Sequence, residues 1–350
     1  MPSRLIWDCG TAYDLFISLV VMHQPEEYNL RASWAAGMRS RLPGPEREFL
    51  EQLGAFLEVP LEWVLSLPAP KDGLTALQVL KQLRPADRLP ALFLPGEDFP
   101  TLRDIVQSVY ERRTWHKADV DAARAAIRQH EKGVLSAEQV EKMLGWWASP
   151  EEFGERYLSA LQAYYEVFFA EEERRISPAL TEALARAQRL AEQMELPLLV
   201  HELSQGVQFE NLSHVPEWVF APSFWSTPLV FYRQISPERV LLVFGARPPD
   251  ASLVPGDAPD GLMRPLKALS DSTRLRILRY LFHEQPLSPS QLSRRLRLRA
   301  PTVIHHLHVL RLAGLVQVMV GAGKERRYAL RPEGIATTFA HLQEFLEKEE

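Results

Sequence analysis

The chain has 350 residues, 46% of them apolar, so it can bury a sizeable core in two or three domains. Its single cysteine, Cys9, excludes internal disulfides and Cys-x-x-Cys sites, which fits a reducing compartment. The net charge of −5 is distributed unevenly: residues 261–350 hold 15 Lys and Arg against 8 Asp and Glu, a net +7, so the first 260 residues carry −12.

The first strongly apolar run is Leu15 to Met22, LFISLVVM. It is too short to cross a bilayer, and acidic residues rather than a basic segment precede it. The run therefore predicts neither a membrane span nor a secretory signal. We expect a cytoplasmic protein without membrane partners.

Residues 1–196 are predicted to form a mostly helical domain, because apolar residues recur there at three- and four-residue spacing. The last of its helices is expected to begin with Ser177 as N-cap and Pro178 in the first turn. The predicted helices are Pro45 to Leu65, Thr101 to Arg113, Asp119 to His130, Ser136 to Trp147, Pro150 to Glu173 and Ser177 to Met194.

Residues 197–249 change to short β-branched and aromatic runs, VQFE, PEWVFAPS, TPLVFYRQ and ERVLLVFGA. They predict a small antiparallel sheet. Its aromatic side chains Trp218, Phe220, Trp225 and Tyr232 fit an ordinary core, or the wall of a ligand pocket or protein-binding face. Residues 250–260, DASLVPGDAPD, are predicted to be a linker.

Residues 261–350 are predicted to form a separate domain with the element order helix, helix, helix-turn-helix, β-hairpin, helix. In the helix that begins at Pro301, Val303, Leu307 and Leu310 form the buried stripe. Gly314 is placed to end that helix in a left-handed conformation. This order is a winged-helix layout, so the fold class is mainly α with a small β part.

The segments LKALSDSTRLRILRYL, LSPSQLSRRL, TVIHHLHVLRLAGLVQ and GKERRYAL, in this order, resemble the ArsR/SmtB-type winged-helix regulators of bacteria. The resemblance covers about 85 residues, roughly a quarter of the chain. It implies a homodimer that binds a palindromic operator in double-stranded DNA and acts as a repressor, although activators share the same core. The N-terminal region is not covered.

This sequence departs from the family in its metal sites. The sensors that resemble it use a Cys-x-Cys pair where Ser288 and Ser290 stand here. A second kind of sensor site would need Asp and His at Tyr328 and Leu330 beside His341 and Glu344. An incomplete ligand set favours no metal. The family also usually has Ser at Ile304, which could instead contact a thymine methyl group.

The C-terminal basic residues predict DNA contact, since 12 of the 15 are arginine, which pairs with phosphate and guanine through two hydrogen bonds. A solvated arginine-rich face is the alternative that charge alone leaves open. The expected groove contacts are Thr302, Ile304, His305, His306, His308 and Arg311. The expected backbone contacts are Ser290, Gln291, Arg294, Arg299, Lys324, Arg326 and Arg327.

Three histidines within four positions, His305, His306 and His308, suggest a metal site or a DNA-reading face. The buried stripe turns His305 and His308 outward together, and no third ligand is evident nearby, so DNA contact is favoured.

No catalytic or cofactor motif is complete. Gly321-Ala-Gly-Lys324 lacks the first glycine and the Ser/Thr of a phosphate loop, and His201-Glu202 lacks the second histidine of a zinc protease. We therefore predict a DNA-binding regulator without enzymatic activity or cofactor, whose N-terminal domain senses an unknown effector or holds the dimer. A scaffold protein that uses the winged helix for protein contacts is the alternative, and an enzyme fused to its own regulator is the third hypothesis.

Overall fold

The structure is a computed structural model that describes residues 3–28, 30–56, 58–96, 99–130, 135–205, 207–209, 215–253, 260–284, 286–320 and 326–347. Lys324 and residues 254–259 of the predicted linker lie outside the described residues. None of the described helices is long and apolar enough to span a membrane.

The chain divides into two compact units. A helical unit comprises residues 15–25 and 31–173, and a mixed unit comprises residues 1–14, 26–30 and 174–350. This division groups residues differently from the segments 1–196, 197–249, 250–260 and 261–350, and those boundaries stay a prediction.

The helical unit contains ten helices among the residues that are described, with a short 3-10 turn at Gly54–Phe56. The chain enters it within α1 and leaves it after a π-helical turn, Tyr165–Phe169, that leads into α11 (Ala170–Ala191). The ten are α1 (Ala12–His23), α2 (Ala32–Arg39), α3 (Gly44–Leu53), α4 (Leu61–Ser66), α5 (Gly73–Gln82), α6 (Pro85–Phe93), α7 (Pro100–Arg112), α8 (Lys117–His130), α9 (Ala137–Ala148) and α10 (Pro150–Tyr164).

Helix α10 packs against α3, α5, α6 and α9. Gly154 lets it approach α6 closely, because a Cβ atom at this position would lie 2.0 Å from the carbonyl oxygen of Pro85. The buried guanidinium of Arg88 donates to the carbonyl oxygens of Leu80 and Gly154, each at 3.1 Å. These bonds satisfy a buried charge that would otherwise be costly and fix α5, α6 and α10 together.

The mixed unit has a four-stranded sheet in the order β1 (Arg4–Trp7), β3 (Glu217–Ser223), β5 (Arg239–Gly245), β4 (Phe231–Ser236). Strands β1, β3 and β5 are parallel, and only β4 runs antiparallel. The prediction of an antiparallel sheet is therefore wrong in this detail. Strands β3 and β5 are buried along nearly their whole length, as parallel strands covered on both faces are, whereas the edge strand β4 alternates.

A buried carboxylate joins α1 to the end of β3. Asp14 accepts hydrogen bonds from the Ser223 hydroxyl at 2.7 Å and from the backbone N–H groups of Trp225 at 2.8 Å and Phe224 at 3.2 Å. Carboxylates that accept several such bonds can stay buried without a large penalty. The contact fixes the turn after β3.

The C-terminal part of the mixed unit has the predicted winged-helix order. Strand β2 (Val207–Phe209), expected in the first sheet, pairs instead in parallel with β6 (Val316–Val320). The other elements are α12 (Leu196–Leu203), α13 (Asp260–Leu269), α14 (Ser272–His283), α15 (Pro289–Leu296), α16 (Ala300–Leu312), β7 (Arg327–Leu330), which pairs antiparallel with β6, and α17 (Pro332–Glu347).

Candidate nucleic-acid interface

Helix α15 begins at a complete capping box. Ser288 accepts from the backbone N–H of Gln291, and the Gln291 side chain accepts from the backbone N–H of Ser288. Pro289 occupies the first turn, where its missing N–H costs nothing. The helix ends at Arg297, whose φ of 56° puts a side chain in the left-handed region. This turn leads directly into α16.

Helix α16 has the predicted buried stripe. Val303, Leu307 and Leu310 are fully buried in one core with Ile277 and Leu281 of α14. The opposite side carries exposed residues, among them Thr302, Ile304 and His305. The helix therefore presents an open face of the kind that enters a major groove.

The three histidines do not share one environment. His305 is exposed and His308 is half-buried. The Nδ1 atom of His306 lies 4.0 Å from Oδ1 of Asp271, and burial lowers the pKa of this ring. His306 is thus directed towards the N-terminus of α14, where Asp271 caps the helix by accepting from the backbone N–H of Arg274.

Arg311 lies on the last turn of α16 and is half-buried. Burial lowers the pKa of its guanidinium, while the nearby Tyr328 phenol opposes the shift and Arg326 adds to it. Arg311 is therefore close to strand β7 at one end of the helix, and its groove contact stays a prediction.

Most of the described backbone contacts are exposed, and four of them are arginines. Ser290, Arg294 and Arg299 are exposed on α15 and at the start of α16. Arg326 and Arg327 are exposed at the start of β7, the second strand of the wing. The Gln291 side chain is half-buried and engaged in the capping box.

Helix α16 ends in a Schellman motif built on Gly314. The Leu315 N–H donates to the Leu310 carbonyl at 3.0 Å, and the Gly314 N–H donates to the Arg311 carbonyl at 2.9 Å. Gly314 has φ of +70°, which confirms the predicted left-handed end. The motif sets the direction in which the chain enters β6.

Comparison with known proteins finds a family match within this region. Residues 271–318, from the cap of α14 into β6, match the family described as bacterial regulatory protein, arsR family. They form an ArsR-family domain. No curated protein matches the chain. A solved structure, a possible transcriptional regulatory protein (fragment 1–100) from Mycobacterium bovis, is 26% identical over 25% of this chain and 94% of its own, with a TM-score of 0.21.

The positions compared above with the metal sites of the family have other roles in the structure. Ser288 and Ser290 bond to each other at 2.8 Å between their hydroxyl oxygens, and Tyr328 and Leu330 are buried. Across the described part of the whole chain, no three His, Cys, Asp or Glu residues are grouped as metal ligands would be. Whether a metal binds stays a prediction.

Outside the ArsR-family domain, the predicted ligand-binding aromatic residues lie in and beside the first sheet. Trp218, Phe220 and Trp225 are fully buried, and the Trp218 ring stacks on Phe220 with centroids 6.0 Å apart. Only Tyr232, on the edge strand β4, is exposed. The arrangement is that of a core, and a ligand role for these residues stays a prediction.

Residues that the sequence did not single out line a cavity beside the ArsR-family domain. Arg247 follows β5, Arg264 lies on α13, and Arg331 precedes α17. They are far apart in sequence and belong to no motif, so only the fold brings them together.

Proposed function

We propose that this chain is a sequence-specific DNA-binding repressor of the ArsR type and has no enzymatic activity. The observation that carries the proposal is the exposed face of α16 in a domain with 14 Lys and Arg against 3 Asp and Glu over residues 264–331. A helix of this kind reads base edges, and basic residues around it bind phosphate.

Seven of the predicted contacts carry this proposal. Thr302, Ile304 and His305 reach the base edges because their side chains are exposed on one face. Arg294, Arg299, Arg326 and Arg327 bind phosphates on either side, because they are exposed and lie on the flanking helix, the preceding turn and the wing. Such contacts give affinity, and the helix face gives specificity.

We infer that the protein binds a palindromic operator as a homodimer. Apolar side chains on the winged helix are exposed, which a monomer rarely tolerates in such number. They are Leu275 and Phe282 on α14, and Phe339, Phe345 and Leu346 on α17. A second copy that covers them would give the two-fold symmetry that a palindromic operator has.

A gel shift with fragments of the organism's own genome, at 50 to 200 mM salt, tests the proposal. We expect selective retention of a few fragments, with affinity that falls steeply as salt rises because phosphate contacts release counterions. If no fragment binds in a salt-sensitive manner, the scaffold alternative replaces the regulator. Analytical ultracentrifugation of the same sample tests the dimer.

A further inference from the structure

Helix α16 begins with an exposed apolar surface, the apolar tip, formed by Ala300, Pro301 and Ile304. The three residues are neighbours on the helix surface, because Pro301 and Ala300 precede Ile304 by three and four positions. The Ile304 side chain is the largest of them and is 40% exposed. A single exposed apolar side chain is common on proteins, so the meaning of the tip depends on what surrounds it.

The surroundings of the apolar tip are basic. Residues 286–320 contain five arginines and no aspartate or glutamate. Arg297 and Arg299, which immediately precede the tip, are exposed, and so is Arg294 on α15. A partner that matches this surface combines dense negative charge with an exposed apolar group.

Duplex DNA combines these two properties. Its phosphates carry the negative charge, and the methyl group on C5 of thymine is the apolar group that its base pairs display in the major groove. In a helix that enters this groove, the N-terminal residues are those that contact the base edges. The apolar tip lies at this end of α16. The tip and a thymine methyl group are therefore expected to meet.

We propose that Ile304 recognises the C5-methyl group of a pyrimidine at a fixed position of the DNA site. The contact removes the methyl group and the isoleucine side chain from water, and it requires no hydrogen bond. Cytosine has a hydrogen atom at this carbon, so the contact distinguishes it from thymine. 5-Methylcytosine has the same methyl group as thymine, and the chemistry admits both. This inference rests on the proposed DNA-binding function and names the group that α16 reads.

The exposed neighbours of Ile304 on α16 have a different chemistry. Thr302 and His305 are polar and offer hydrogen-bond donors and acceptors to base edges. Burial of one methyl-sized group changes affinity by only about fourfold, whereas a bidentate pair with a base contributes about fivefold to 150-fold. The Ile304 contact is thus expected to adjust sequence preference without being required for binding.

Fluorescence anisotropy of the full chain tests the proposal, with a duplex that the genomic gel shift retains. Each thymine of this duplex is replaced in turn by deoxyuridine, which keeps the base pair and removes the C5-methyl group. At least one replacement should lower the affinity of the wild type about fourfold. The same replacement should leave the affinity of Ile304→Ala nearly unchanged, because that variant no longer has the side chain that contacts the methyl group.

Leu198→Ala is the matched control. Leu198 is also an exposed apolar residue of the mixed unit, 61% exposed, but it lies on α12 and not on the reading helix. This variant should keep the fourfold loss of the wild type. Ile304→Ala is expected to fold, because the side chain is exposed and alanine favours a helix more than isoleucine does. A melting temperature equal to that of the wild type verifies this.

A second set of duplexes distinguishes thymine from 5-methylcytosine as the source of the methyl group. At the sensitive position, the T·A pair is replaced by a C·G pair with or without a methyl group on C5 of the cytosine. The methylated duplex should bind the wild type about fourfold more tightly, and Ile304→Ala should bind the two equally. Equal binding by the wild type would overturn recognition of 5-methylcytosine and restrict the contact to thymine.

The proposal is overturned if no deoxyuridine replacement lowers the affinity of the wild type more than twofold. It is also overturned if Ile304→Ala shows the same loss as the wild type, because the methyl group then acts through the shape of the duplex. Both results leave the proposed function standing. If the full chain binds no DNA, the proposed function fails and this inference fails with it.

Discussion

Gly314 shows how one residue sets the geometry of the reading helix. Its φ of +70° lets the two hydrogen bonds of the Schellman motif close the helix and turn the chain into β6. A side chain in this conformation brings Cβ against the following carbonyl oxygen.

Gly314→Ala should therefore destabilise the mixed unit by about 1–2 kcal/mol. Gly37→Ala is a useful control, because Gly37 lies within α2 and a Cβ atom there would meet nothing within 4 Å. The control should be neutral or stabilise its helix by up to about 1 kcal/mol. Urea midpoints followed by circular dichroism measure both, and equal midpoints for Gly314→Ala and wild type would contradict the account.

The stability of the helical unit is expected to depend on pH through His23. Its Nδ1 atom lies 2.8 Å from the Leu19 carbonyl oxygen, and burial lowers the pKa of the ring from 6.5 to about 4, with Arg39 contributing to the shift. The unfolded chain therefore binds a proton at a pH where the folded chain does not. Stability from this residue is complete above pH 6.5 and is lost as the pH falls towards 4.

We expect the free energy of unfolding of the wild type to fall by about 1–2 kcal/mol more than that of His23→Gln between pH 7.5 and pH 5. His116→Gln is the control, since His116 is exposed in the same unit. Urea denaturation at the two pH values measures the difference. Parallel losses in wild type and His23→Gln would show that His23 is not the titrating group.

At the scale of elements, the winged helix could be predicted because its signals are local. Ser288 with Pro289, the stripe of Val303, Leu307 and Leu310, and Gly314 each specify a cap, a face or an end without help from distant residues. Local signals of this kind are what a sequence carries most directly.

Elements whose partners are distant in sequence could not be predicted. Strand β1 pairs with β3, which lies more than 200 residues later in the sequence, and β2 pairs with β6 instead of joining the first sheet. The pattern of apolar residues within one strand does not show which other strand pairs with it. For the same reason, the arginines around the cavity could not be grouped from the sequence.

One helix start that was predicted from a proline is absent from the structure. The prediction that a helix begins at Ser177 and Pro178 is wrong, because α11 runs without interruption from Ala170 to Ala191. A proline removes only one hydrogen bond from a helix, and burial of Ile176, Leu180 and Ala183 along this helix offsets that loss. Tertiary packing thus outweighed a local start signal.

The basic start of the wing strand β7 leads to a prediction about how DNA affinity depends on salt. Arg326 is exposed at its start, and a phosphate contact there contributes equally to every DNA sequence. Arg326→Ala should lower the affinity for all duplexes and reduce the salt slope by about 1. Arg189→Ala, which removes the same charge from α11, should leave the slope unchanged. An unchanged slope for Arg326→Ala would count against the wing contact.

At the scale of the whole molecule, the residues proposed to bind DNA lie in a basic part of the chain, whereas the rest of the chain is acidic. Residues 261–350 carry +7, whereas the first 260 residues carry −12 and would be repelled by phosphate.

The most direct test of the account measures sequence discrimination by α16. Fluorescence anisotropy at 150 mM salt would compare a duplex selected from the genome with a shuffled duplex of the same composition. We predict at least about 1,000-fold tighter binding to the selected duplex. In the double variant Thr302→Ala and His305→Ala, that ratio should fall at least tenfold, with unchanged affinity for the shuffled duplex. Equal affinity of the wild type for both duplexes would contradict the account.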